Sequence, residues 1–223
     1  MSFAAGDGLP GMSNVKVDIT VSVDGYVAGR NQSVEHPLGE GGMALHDWAF
    51  ALRAWREPHG IEGGLVNAST AVVEETTANV GAEIMGRGKF GGGPGSWGDG
   101  AWTGWWGDDP PFHMPVFVVT HHERAPLTLS DTTFTFVTTG IEDALARARE
   151  AAEGKDVLVG GGADVVNQFL AAGLVDELSL HVAPVLLGGG ARLFDGVGPG
   201  VVLEQVRTVD APQVTHLTYR TVR

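Results

Sequence analysis

The chain contains no cysteine. That absence excludes a disulfide-stapled scaffold, a Cys-ligated zinc finger, an iron–sulfur cluster and a thiolate nucleophile. Cations are scarce: 14 Lys and Arg face 27 Asp and Glu, a formal net charge of −13. Nucleic acid and anionic membranes are held by clustered Lys and Arg, so neither is an expected partner. Long apolar runs are also missing. Runs such as 116–119 fall far short of the ~18 residues a membrane span needs. The N-terminal MSFAAGDGLPG has no basic n-region and no apolar h-region, so no signal peptide is expected and the expected location is the cytoplasm. At ~150 residues per domain, 223 residues point to one large domain. Residues 1–14 read as a flexible tail and 15–223 as that domain.

Glycine is abundant instead, with 34 residues that fall in clusters. Apolar residues make 43% of the chain and charged residues 18%, a globular composition. Val17, Ile19, Val21 and Val23 alternate with polar residues and predict a strand that ends at the Asp24-Gly25 turn. Residues 30–45 read as a loop. Trp48, Leu52 and Trp55 lie at i, i+4 and i+7, one face of a helix over 46–56. Further helices are predicted over 69–79, from Ile141 and again after Gly162, with Gly173 as a C-terminal cap. Strands are predicted at 82–86, 116–119, 134–137, 156–159, 177–185 and 214–222. Short apolar strands alternating with helices predict an α/β domain with a largely parallel sheet. The last strands follow one another without helices, which predicts an antiparallel edge.

Three strand ends carry candidate binding residues. Gly160, Gly161, Gly162 and Ala163 lead from a buried strand into a helix, where free backbone N–H groups favour an anion. Gly86, Arg87 and Lys89 combine glycine with two cations suited to phosphate. Thr120 and His121 close a third strand. The plain alternatives are tight-packing glycines, an exposed basic turn and exposed loop histidines. Two literal G-x-G-x-x-G matches begin at Gly86 and Gly93, but neither opens a helix, so a Rossmann fingerprint is rejected. No G-x-S-x-G elbow and no HExxH occur, and no metal site is expected. Asp47 stands in the first turn of the helix over 46–56, at the edge of its apolar face. It is either a cleft acid or a surface acid favoured by the helix dipole. Asp24 reads as a turn residue. Residues 91–113 hold four of the six Trp without any regular period. They form a long loop that serves as a lid, a core wall or an interface.

Several segments in order resemble one family: Ser22-Val23-Asp24-Gly25-Tyr26-Val27-Ala28-Gly29, Ile84-Met85-Gly86-Arg87, residues 157–163, Val175-Asp176-Glu177-Leu178 and residues 183–190. The chain resembles the dihydrofolate reductase-like superfamily, nearest to the reductase domain of bacterial riboflavin biosynthesis and its stand-alone relatives. The resemblance implies a mostly parallel central sheet of about eight strands with helices on both faces. It also implies NADPH as hydride donor, a small pterin- or pyrimidine-like substrate and a homodimer. Carried across, Ala28 touches the nicotinamide and Arg87 meets the 2′-phosphate. Thr120 and His121 lie by the adenosine. Gly160, Gly161 and Gly162 carry the pyrophosphate, with a cis peptide between Gly160 and Gly161. Thr20, Ser22, Asp47 and Trp48 face the substrate, with Asp47 or a water managing the proton. The chain departs from the family pattern in carrying Lys89 where a hydroxyl is usual and Ala163 where a basic residue is common. With no cysteine, the zinc deaminase signature often fused to the riboflavin enzyme is not expected in this sequence. A module that holds a nucleotide or flavin without turnover is the alternative reading.

Overall fold

The computed structural model describes residues 13–98 and 101–222; most of the expected tail lies outside the described residues. The strands are β1 (Val15–Ser22), β2 (Tyr26–Ala28), β3 (Val80–Gly86), β4 (Pro115–Val119), β5 (Leu127–Leu129), β6 (Thr132–Val137), β7 (Asp156–Val159), β8 (Glu177–Ala183), β9 (Ala191–Arg192), β10 (Val202–Ala211) and β11 (Val214–Val222). The helices are α1 (Asp47–Phe50), α2 (Arg53–Arg56), α3 (Ala68–Thr77), α4 (Arg87–Phe90), α5 (Ile141–Ala151) and α6 (Ala163–Ala171), with 3₁₀ turns at Gly42–His46 and Glu57–His59.

Nine strands form one sheet in the order β10-β11-β8-β1-β7-β3-β4-β6-β5. The six from β8 to β6 in that order run parallel to their neighbours. The edges are antiparallel: β11 and β10 on one side, the short β5 on the other. The sheet has one strand more than the expected eight. A separate two-stranded ladder joins β2 to β9.

The strand period divides the core. On one face Val15, Val17, Ile19 and Val21 of β1 and Ala82 and Ile84 of β3 pack against Ile141, Leu145 and Ala148 of α5 and Val166, Phe169 and Leu170 of α6. Burying each of the larger of these side chains stabilises the fold by roughly 1.5–3 kcal/mol. The opposite face is covered in two places. Leu45, Trp48, Ala49 and Leu52 pack over Ala183 of β8 and Val214 of β11. Phe90 and Trp97, Trp102, Trp106 and Phe112 of the glycine- and tryptophan-rich loop pack over β3, β4 and β6. That loop is therefore a wall of the core. Its glycines leave room for the indoles: a Cβ on Gly91 would lie 2.5 Å from Trp105, and one on Gly92 2.8 Å from Trp102.

Four expectations need correction. β1 stops at Ser22, and Val23 is exposed rather than part of the buried face. The single helix expected over 46–56 is broken at Leu52, whose backbone is extended. There the Arg53 N–H donates to the Leu65 carbonyl and the Leu65 N–H to the Ala51 carbonyl, so a downstream strand-like bridge takes the helix's backbone partners. The loop over 30–45 closes in the 3₁₀ turn Gly42–His46. β10, exposed at most positions, was not expected at all.

Candidate functional site

Between the two covers of that face lie the central strands β1 and β7. Alternation puts Asp18, Thr20 and Ser22 of β1 on this side. Register places Thr20 beside His181 of β8, and His181 beside His216 of β11. The result is a buried polar chain. His181 Nε2 lies 2.9 Å from Asp18 Oδ2. His181 Nδ1 lies 2.7 Å from His216 Nδ1, and His216 Nε2 lies 2.8 Å from Ser69 Oγ at the start of α3. Thr76 of α3 donates its hydroxyl to Asp18 Oδ2 at 3.2 Å. The Trp48 ring packs 5.1 Å from the His181 ring and 5.0 Å from the His216 ring, centre to centre. Among the described residues its Nε1 has no hydrogen-bond partner, nor does Nδ1 of His46.

Burial favours the neutral forms here. It pushes His216 down to about 4, helped by the charge of His181, and His46 down to about 4, helped by the charge of Lys89. Burial raises Asp18, but the charge and hydrogen bond of His181, the Thr76 hydroxyl and the charge of Lys89 outweigh it, and the net direction is downward.

The other wall is built around Lys89 of α4. Its ammonium lies 2.7 Å from Glu83 Oε1 and donates to the Gly160 carbonyl at 3.0 Å. Glu83 is buried on β3. Lys89 thus ties the end of β3 to the end of β7, a structural role for the cation read as a phosphate ligand. Gly86 and Gly160 are drawn together in the same way: the Gly86 N–H donates to the Gly161 carbonyl at 2.8 Å and the Gly160 N–H to the Ile84 carbonyl at 3.0 Å. The cis peptide falls between Gly161 and Gly162, one residue beyond the expected position. Gly162 caps α6 with no side-chain cap, and a Cβ there would meet nothing within 4 Å. The start of α6 thus has no side-chain cap among the described residues, and Ala163 is buried just behind Gly162.

The remaining predicted residues scatter. Arg87 faces the loop: it donates to the carbonyls of Gly91, Gly92, Gly93 and Gly95, and its guanidinium lies 3.3 Å from the centre of the Trp97 ring. Burial lowers its pKa. Thr120 is buried at the end of β4, where its hydroxyl accepts from the His122 N–H; His121 is exposed beside it. Past them opens a depression of about 520 Å³ lined by Arg124, Thr138, Thr139 and Arg147 among others. Ala28 is buried on β2, across from Ala191. Ser22 is engaged internally, donating to Asp24 Oδ1 at 2.6 Å and accepting from the Tyr26 N–H. Asp24 also accepts from the Leu187 and Gly188 N–H groups, and these bonds, the Ser22 hydroxyl first, hold it at about 2. It is the turn residue it was read to be. Asp47 is exposed. The carboxylate of the polar chain is Asp18.

The match to known families assigns the chain. The family described as the RibD C-terminal domain matches residues 13–217. The chain belongs to the RibD C-terminal domain family. It is 44% identical over 55 residues to the uncharacterized protein YyaP of Bacillus subtilis (strain 168); that segment is 25% of this chain and 29% of YyaP, under a third of the relative's length. The putative riboflavin biosynthesis protein from Shewanella sp. PV-4 superposes with a TM-score of 0.62 at 22% identity, over 95% of this chain and 100% of that one. Dihydrofolate reductase from Enterococcus faecalis, solved with NADP(H), superposes with a TM-score of 0.50 at 14% identity, over 93% and 96% of the two chains. The fold of this RibD C-terminal domain is thus dihydrofolate reductase-like, a reductase-type fold. Among the described residues no helix is long and apolar enough to cross a membrane.

Proposed function

We propose that the chain is an NADPH-dependent reductase acting on a small, pterin- or pyrimidine-like heterocycle. The observation that carries the reading is the start of α6 at Gly162, without a side-chain cap among the described residues, beside the Lys89–Glu83 wall at the carboxyl ends of β3 and β7. In open α/β sheets ligands bind at such strand ends, and a helix start favours an anion. NADPH, when bound, supplies the hydride. The residues present fit it. Gly161, Gly162 and Ala163 offer backbone donors for the pyrophosphate, with Gly86 bracing them through the Gly161 carbonyl. Arg124 and Arg147 line the depression beyond Thr120 and His121 and, in this reading, supply cations for a 2′-phosphate. Arg87 holds the loop that covers this end, and Ala28 closes the other end. Thr20 and Trp48 border the substrate cleft with Asp18. The cellular location in this reading is the cytoplasm, and a homodimer is the proposed assembly.

Titration with NADPH, NADH and flavin mononucleotide, followed by tryptophan quenching, tests the reading. NADPH binding that weakens with salt, and exceeds NADH binding, is the expected result. No nicotinamide binding overturns it, and flavin binding without turnover supports the binding-module alternative.

A further inference from the structure

Away from the cleft, at the amino ends of β4 and β6, a second group of polar side chains stands together. Among the described residues, Asp109, His113 and Asp131 bring one donor atom each within 4.8 Å of one another. His113 Nδ1 lies 2.7 Å from Asp131 Oδ1. All three residues are exposed. Local spacing gives no hint of the group, because Asp131 is 18 positions from His113.

The charges in this group do not balance. Two carboxylates face one imidazole, so the group is anionic even when that imidazole carries both its protons. Among the described residues neither carboxylate has a Lys or Arg partner, in contrast to Glu83 with Lys89 and Asp156 with Lys16.

The donors are set in place by the backbone beneath them. Asp109 and His113 flank Pro110-Pro111-Phe112, where the two prolines fix φ. The Phe112 ring packs 4.7 Å from the Trp106 ring and 5.9 Å from the Phe134 ring, centre to centre. Asp131 stands in the two-residue turn between the paired Leu129 and Thr132. The fully buried Thr132 hydroxyl joins the two segments. It donates to the Pro110 carbonyl at 3.3 Å and accepts from the His113 N–H at 3.1 Å. An ion that bridges the segments then has little beyond side-chain rotamers to order.

The donor set selects the ion. Ca²⁺ and Mg²⁺ take oxygen ligands, whereas Zn²⁺ and its transition-metal neighbours combine imidazole with carboxylate. Bond lengths of about 2.0–2.2 Å set neighbouring ligands roughly 3–3.5 Å apart. Exposed side chains reach that spacing by small rotations.

We propose that Asp109, His113 and Asp131 form a surface site for a transition-metal dication of the Zn²⁺ class, which clips the end of the tryptophan-rich loop to the β5–β6 hairpin. The ion displaces the proton between His113 and Asp131, which leaves to solvent, and water fills the remaining coordination positions. The site is independent of the reductase reading. It lies at the amino ends of β4 and β6, whereas that reading rests on the carboxyl ends of β3 and β7 in the same parallel set.

Calorimetric titration of the full chain with ZnCl₂ near neutral pH, after chelator treatment, tests the site. One Zn²⁺ per chain is expected, bound at least about tenfold more tightly than Mg²⁺ or Ca²⁺. His113→Ala and Asp131→Asn are each expected to weaken Zn²⁺ at least about tenfold, since even outer partners of a metal ligand are worth that much. His36→Ala, at an exposed histidine elsewhere, is expected to leave the affinity unchanged. Hydrogen-exchange mass spectrometry supplies the second readout. Zn²⁺ should slow exchange in peptides over 107–114 and 128–133 in the parent, and not in His113→Ala. No Zn²⁺ binding, equal binding of Mg²⁺, or Zn²⁺ binding unchanged in His113→Ala overturns the site. Zn²⁺ binding that slows exchange in neither segment overturns the clip.

Discussion

The Nδ1 atoms of His181 and His216 face each other across 2.7 Å in the interior of the sheet face. One must carry a proton and the other a lone pair, so the contact survives only while the two rings are not both fully charged. His216 stands at about 4 against an ordinary 6.5 because burial opposes its charge. The unfolded chain therefore binds more protons than the folded one between these values. Stability is fully present above pH 6.5 and falls as the pH drops toward 4. The loss for this imidazole is at most on the order of 3 kcal/mol. Scanning calorimetry from pH 8 to 4 is expected to show this decline, and His216→Phe to flatten it. A variant with the wild-type slope would contradict the assignment.

Gly160 is a second point where one atom decides. A Cβ there would stand 2.3 Å from Glu83 Oε1 and 2.6 Å from Lys89 Nζ. Gly160→Ala is expected to part this ion pair and to cost roughly 1–3 kcal/mol, the usual range for overpacking. Thermal unfolding measures the loss. An alanine variant as stable as the parent would show that the wall moves freely.

Arg87 is expected to report on the loop. Its fork serves four glycine carbonyls and its plane stacks on Trp97, geometry that a lysine does not reproduce. Arg87→Lys and Arg87→Ala should both red-shift the tryptophan emission and weaken NADPH. Unchanged emission in either variant would mean that the loop holds its place without the guanidinium.

Asp24 joins the turn after β1 to the segment after β8 through the Leu187 and Gly188 amides. Asp24→Ala is expected to raise amide exchange at these two positions while leaving the β1 amides protected. Hydrogen-exchange mass spectrometry with peptides over 184–190 reads this directly; equal protection in parent and variant would assign those amides another acceptor.

Where one face of an element is buried, the sequence was a sufficient guide. Val17, Ile19 and Val21 marked β1, and Ile141, Leu145 and Ala148 marked α5, because their periods are imposed by the core. β10 lacks such a face and so carries no period. The helix break at Leu52 depends on Leu65, thirteen positions downstream, which no local window contains. The Asp18–His181–His216–Ser69 chain escaped for a related reason: its hydrogen-bonded neighbours are up to 163 positions apart, and each one alone reads as an ordinary polar residue of a strand or helix. The one available signal was that Asp18 alternates with the apolar positions of β1, on the same side as Thr20. Gly86, Gly160, Gly161 and Gly162 are legible as a cluster because strand-end glycines are a local signal. Asp47 is read from helix position alone, and the structure leaves it exposed.

The bridge between Leu52 and Leu65 also divides the chain's tolerance to change. Arg53 to Gly64 hang from it as a stalked bulge whose residues are mostly exposed or half-buried, while Trp48 and Leu52 on the near side are locked in the interior. Length variation, a grafted peptide or a fluorescent tag placed near Gly60 or Gly63 sits beyond both that two-bond clasp and the packing of Trp55, away from the histidine chain. The molecule thus carries, a few residues from its most order-dependent side chains, its own attachment point.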